Sequence, residues 1–179
     1  NTAIGRTALY SNTTASSNVA IGYEALEDNT TGDLNVAVGT YALNSNTVGD
    51  RNTAIGHNSF SSLNPASAQD TYNVGVGLNS GLNTTTGTSN TFIGSLSGQT
   101  NTTGLQNVAV GDSSLFNNTT ASFNNAIGRA ALYSNTTGAY NVALGHQALQ
   151  ANTTASNSTA VGYQALYSGN GSQNTAMGY

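Results

Sequence analysis

Residues 18–34, NVAIGYEALEDNTTGDL, run directly into residues 35–51, NVAVGTYALNSNTVGDR. The second stretch restates the first almost position by position. Its opening pentapeptide, Asn-x-Ala-Ile/Val-Gly or a close variant, returns at positions 1, 18, 35, 52, 73, 90, 107, 124, 141, 158 and 174. A short fixed period means one unit stacked many times, so residues 1–179 read as a single repeat array. Eight of the ten complete copies are 17 residues long; the copy from Asn52 to Tyr72 carries four extra residues around Pro65, and that from Ser158 to Gln173 is one short.

A helical unit is disfavoured, because each copy holds Gly-type breaks and an Asn-Thr-Thr run, and no ten-residue segment has helical apolar spacing. Extended backbone is the other way to satisfy the main chain. Seventeen residues at about 3.3 Å each suit one coil with two short strands and two tight turns. The expected fold is all-β, a parallel β-solenoid (β-roll) of about ten 17-residue coils.

Equivalent residues then form columns. Position 4 is apolar throughout, with Ile4, Ile21, Val38, Ile55, Val76, Ile93, Val110, Ile127, Leu144, Val161 and Met177; this column is expected to point inward as a buried ladder. Leu9, Leu26, Leu43, Phe60, Leu115, Leu132, Leu149 and Leu166 form a second ladder, with Gly in that place in two copies. Two large apolar residues per coil, at roughly 1.5 to 3 kcal/mol each, barely offset the ordering of the chain. The alternation along a strand would put the Ala column (Ala3, Ala20, Ala37 and so on) on the opposite, outer face, and a small apolar outer column suggests a covering copy of the chain. Position 5 is Gly in every copy, including Gly5, Gly22, Gly39 and Gly56, as a special backbone angle or close approach requires. Asn opens nearly every copy and recurs before Thr-Thr at Asn12, Asn29, Asn101, Asn118, Asn135 and Asn152. Stacked amides there would bond one another or cap turns, so the Asn-x-Thr matches follow from the repeat and say little about glycosylation.

Composition removes several functions. There are three Lys plus Arg against seven Asp plus Glu, a net charge of -4, so no basic stripe exists for nucleic acid or anionic membrane. No apolar run is long enough to span a membrane within this segment. Cysteine is absent, which excludes disulfides and thiolate metal sites. His57 and His146 fall in the tolerant sixth position and read as solvated side chains. Glu24, Glu27, Asp28 and Asp33 gather in one region without the regular Asp spacing of calcium-binding repeats. Neither catalytic residues nor a metal or other cofactor is expected. Tyr10, Tyr23, Tyr133, Tyr163 and Tyr167 lie near the Ala-Leu segment and are candidates for an exposed strip that stacks on sugars or packs between protomers.

Residues 124–138 (NNAIGRAALYSNTTG) and 158–168 (STAVGYQALYS) resemble the repeats of phage tail-fibre shaft proteins. They also resemble the head repeats of trimeric autotransporter adhesins, whose period is usually somewhat shorter. The resemblance covers essentially the whole chain. It implies a homotrimer of parallel β-coils, left-handed in the adhesin heads, located outside the cell on a virion or cell surface, and forming part of a longer fibre. The function it implies is a rigid structural shaft with a role in surface attachment. Two rivals remain: an adhesin that binds glycan or host protein by its lateral face, and, with less support, an ice-binding protein, prompted by the Thr pairs. Adjacent Thr side chains on a strand point to opposite faces, which weakens the second.

Overall fold

A computed structural model describes residues 1–179. Every copy contributes one three-residue strand, and there is no helix. In chain order these are β1 (Thr2–Ile4), β2 (Val19–Ile21), β3 (Val36–Val38), β5 (Thr53–Ile55), β7 (Val74–Val76), β8 (Thr91–Ile93), β9 (Val108–Val110), β10 (Asn125–Ile127), β11 (Val142–Leu144), β12 (Thr159–Val161) and β13 (Thr175–Met177). They pair in that order into one parallel 11-stranded sheet. Like lies over like: Ala20 pairs with Ala37 and Ile21 with Val38, and the register passes unbroken from β5 to β7 across the long copy. The remaining elements, β4 (Gly49–Asp50) and β6 (Gln69–Asp70), pair only with each other beside the insertion. The chain is a parallel β-solenoid of about ten coils.

The expected second strand appears only in the two coils that carry β4 and β6, although coil-to-coil bonding continues where it would lie in the others. Of 115 backbone hydrogen bonds, 94 fall outside regular strand pairing. Leu26 N–H donates to the Ala42 carbonyl at 3.0 Å, and Asp28 N–H to Asn44 at 3.0 Å, each one coil on. Two positions before Leu26 the bonding reverses: Glu24 N–H donates back to the Arg6 carbonyl of the preceding coil at 3.0 Å. The backbone there alternates in and out of the left-handed region, with φ near 55° at Glu24 and 51° at Leu26. That alternation bends the chain too sharply for a pleated strand, and for non-glycine residues it costs roughly 1–2 kcal/mol each. The sequence carries no signal of it, because Leu is a poor left-handed residue.

The strand faces are the reverse of the sequence expectation. Ala20, Ala37, Ala54, Ala109, Ala126 and Ala160 are fully buried and line the interior, whereas Ile4, Ile21, Ile55, Ile93, Ile127, Leu144 and Met177 are 36–80% exposed. Val38, Val76, Val110 and Val161 are half-buried on the same outer face. Asparagine explains the inversion. Position 1 must face the same way as position 3, and its amide is bonded inside the coil. Asn18 Nδ2 donates to Gly32 O at 2.8 Å, and its Oδ1 accepts the Asn35 N–H at 2.8 Å. A second amide file runs beside it: Asn118 Nδ2 donates both to Asn101 Oδ1 and to Ala121 O, each at 2.9 Å. The two files meet on one carbonyl per coil, as Asn107 Nδ2 also reaches Ala121 O at 2.9 Å. With two amides inside, the lumen has room for one large apolar side chain per coil. That place goes to the Leu ladder, in which Leu26, Leu43, Leu115, Leu132 and Leu149 are buried as expected.

Glycine at position 5 is required by both reasons anticipated for it. Gly22 has φ +137°, and a Cβ there would stand 2.6 Å from the Gly39 carbonyl group of the next coil. Gly5, Gly39 and Gly56 share the conformation.

Candidate interaction faces

The alternation that buries Ala and Asn turns positions 2 and 4 outward together. Val19, Val36, Val74, Val108 and Val142 stand beside the Ile/Val column, with Thr2, Thr53, Thr91 and Thr159 at the same position in other coils. Position 17 borders this face and adds Leu34, Tyr72, Phe123 and Tyr140, all exposed, with Phe123 and Tyr140 rings stacked at 4.8 Å. The result is a flat apolar face along the length of the solenoid. Contiguous exposed apolar surface makes this face a candidate for interaction. The exposed apolar column is therefore the Ile/Val column and not the Ala column.

The five tyrosines do not form one strip. Tyr23 and Tyr163 occupy position 6, and Tyr10, Tyr133 and Tyr167 occupy position 10. Tyr133 stacks on Phe116 at 5.1 Å, and Tyr163 lies between His146 at 5.2 Å and Tyr179 at 5.3 Å. Rings stacked face to face along the axis turn their edges outward, so these have used the faces a sugar would need. Tyr23 makes an edge contact with Tyr41 at 5.5 Å and lies under the Arg6 guanidinium at 5.5 Å. Its hydroxyl pKa is raised, chiefly by the adjacent Glu24 carboxylate. Tyr10 is exposed, as is Tyr167.

One depression breaks the surface, a shallow hollow of about 280 Å³ lined by Tyr41, Asn44, Ser45, Asn58, Ser61 and Ser62. Small polar residues at positions 10 and 11 of two successive coils line it, where four other coils carry Tyr or Phe at position 10. The sequence reading did not single it out, because small polar residues are common throughout the chain.

The Thr pairs divide their roles. The first of each pair bonds the next coil, as Thr102 Oγ1 does to Thr119 O at 3.0 Å, while Thr86, Thr103, Thr137 and Thr154 are exposed in single file. The glycosylation-pattern residues Asn29, Asn101, Asn118, Asn135 and Asn152 are fully buried.

Charged groups are few and local. At the insertion, Arg51 Nε donates to Asp70 Oδ1 at 2.6 Å, and the Tyr72 hydroxyl donates to Asp70 Oδ2 at 2.6 Å. These two bonds, that from Tyr72 foremost, hold the Asp70 carboxyl below the usual carboxylate range. Asp33 Oδ1 accepts the Ser16 N–H, and Asp50 Oδ1 accepts the Asp33 N–H, so these acids serve as coil-to-coil caps. Glu27 accepts from Asn44 at 3.2 Å. Of the two histidines, His57 makes an edge contact with Tyr41, and His146 lies 3.3 Å from Arg129. No group of three or more His, Asp or Glu is placed to hold a metal ion.

No helix is long and apolar enough to cross a membrane. The chain matches no family model, no curated protein and no solved structure.

Proposed function

We propose that the chain is a rigid, non-catalytic shaft segment of an extracellular fibre, borne on a phage tail fibre or a cell surface, and assembled with copies of itself as a homotrimer. The observation that carries this reading is the outer apolar face, in register from β1 to β13. Ten steps at about 4.8 Å give a rod of roughly 50 Å. Stiffness follows from construction, since bending the rod must stretch backbone ladders and two amide files together. Half-exposed Ile and Val on one side suit burial against like faces, and a three-fold arrangement would close them around an axis and leave no apolar side in water.

Sedimentation tests the assembly. The chain should run at three times its 18.1 kDa mass, and the double variant Ile93→Glu, Ile127→Glu should run as a folded monomer with unchanged circular dichroism. A monomeric wild-type chain would end the trimer reading.

A second reading, attachment to a glycan or host protein by a lateral surface, is favoured by the hollow around Tyr41, whose amide and hydroxyl lining suits a sugar ring. Saturable binding on a glycan array, lost in Tyr41→Ala, would support it; a pure shaft shows none.

A further inference from the structure

Asparagine is abundant in this chain, yet it precedes glycine once, at Asn170-Gly171. We propose that this pair is a site of spontaneous deamidation, the one place where the array modifies itself, and that the reaction loosens the last rung, β13. In the reaction, the Gly171 backbone nitrogen attacks Asn170 Cγ. A nitrogen–carbon bond forms, the Cγ–Nδ2 bond breaks, and ammonia leaves with the displaced proton. Water then opens the cyclic succinimide at either carbonyl, giving aspartate or isoaspartate. The only co-reactant is water.

Such attack needs a free backbone nitrogen and no side chain beyond it in the way. Gly171 has no Cβ, and one built there would meet only Asn174 Nδ2, at 3.0 Å. Its N–H donates to no carbonyl in the molecule. Asn170, Gly171 and Ser172 are all exposed. The Asn170 amide nitrogen, which must leave, has no acceptor; only its Oδ1 is engaged, accepting the Thr153 N–H at 3.2 Å.

The four Asn-Ser pairs are the next most susceptible in general chemistry, and at each a hydrogen bond engages the nucleophile. Ser45 N–H donates to Ser61 O at 3.0 Å, Ser59 to Gly56 at 3.4 Å, Ser80 to Gly77 at 3.5 Å, and Ser158 to Asn141 Oδ1 at 3.0 Å. The cause of the exception is the short tenth copy. It lacks the second Asn, having Gly169 in that place, and its turn falls out of the amide file.

The change would be felt beyond the pair. Isoaspartate adds a methylene to the backbone and moves the oxygen that caps Thr153. Gly171 O accepts from Asn174 Nδ2 at 2.6 Å and from Ser158 Oγ at 3.3 Å, so a shifted Gly171 pulls on the residue that opens β13.

The test is incubation of the intact folded chain at mildly alkaline pH, with peptide mass mapping and isoaspartyl methyltransferase labelling. Asn170 should gain one mass unit at least an order of magnitude faster than Asn44, Asn58, Asn79 or Asn157, and Gly171→Ala should slow it by a similar factor. In urea the Asn-Ser sites should accelerate while Asn170 changes little. Equal rates at Asn170 and the Asn-Ser sites in the folded chain would overturn the proposal, as would a similar acceleration of Asn170 on unfolding.

Discussion

The rings of Phe60 and Phe92 stack in the interior with centroids 5.7 Å apart and planes inclined by 19°, although they belong to the fourth and sixth copies of the repeat. The fifth copy has no large core residue of its own. Gly75 replaces Ala and Gly81 replaces Leu there, and a Cβ at either would strike the Phe60 ring at 2.7 and 2.5 Å. In the sixth copy Phe92 replaces Ala, and its ring fills the space over Gly98, where a Cβ would stand 2.6 Å away. Volume is conserved across three coils rather than within each, as dense interiors demand.

That compensation predicts strong coupling. Phe92→Ala alone should cost about 3–5 kcal/mol through a cavity, and Gly98→Leu alone about 1–3 kcal/mol through overpacking. The double variant restores the Ala/Leu pattern of the seventh copy (Ala109 and Leu115) and should recover most of both losses in thermal or urea unfolding. Additive losses would show that the two positions do not share one space.

The amide files predict that Asn135→Asp is far more damaging than its size suggests. Asn135 Nδ2 donates to Asn118 Oδ1 and to Gly138 O, both at 2.9 Å, and a carboxylate would set an acceptor and a charge against two acceptors in a buried place. Loss of one such buried partner costs about 1–3 kcal/mol, more when charge is involved. Hydrogen exchange should show the loss as local opening of the seventh and eighth coils, since a solenoid couples mainly to its neighbours.

At its far end the second file stops on an orphan. Asn152 Oδ1 is buried without a donor, because Gly169 stands where the next Asn would. Gly169→Asn should supply that donor and stabilise the last full coil by about 1 kcal/mol. Slower amide exchange around Thr153 and Ser158 is the expected readout; faster exchange would mean that the turn cannot accept the side chain.

The insertion should respond to acid before the solenoid does. The Asp70 carboxyl is held below its unfolded value, first by the Tyr72 hydroxyl and then by Arg51. A depressed folded pKa contributes stability that is present above the unfolded value, about 3.9, and is lost as pH falls through the folded one. Amide signals of residues 66–72 should shift below about pH 4 while strand signals hold, and Asp70→Asn should remove the transition.

Recurrence of the motif made the all-β solenoid, its coil boundaries and its register readable from the chain alone. The columns of Leu26 and Gly22 were legible as well, one by its apolar regularity and the other by the lack of any substitute. The direction of the Ile21 column was not, nor was the lack of a second strand in most coils. Burial energy favours Ile over Ala, and an argument that counts only that term turns the strand the wrong way. The amide of Asn18 decides it, through bonds to Gly32 and Asn35 that appear only when the coil closes. The left-handed angles at Glu24 and Leu26 were equally invisible, since neither residue type advertises them.

Spacing by itself determined that like residues lie over like, because a constant translation along the chain becomes a constant translation along an axis. Tertiary structure alone decided which side of each rung faces in. The two solutions obey the same alternation, and only the width of the lumen, filled by two amides, an alanine and one leucine, separates them. The outer apolar face is the consequence of that choice.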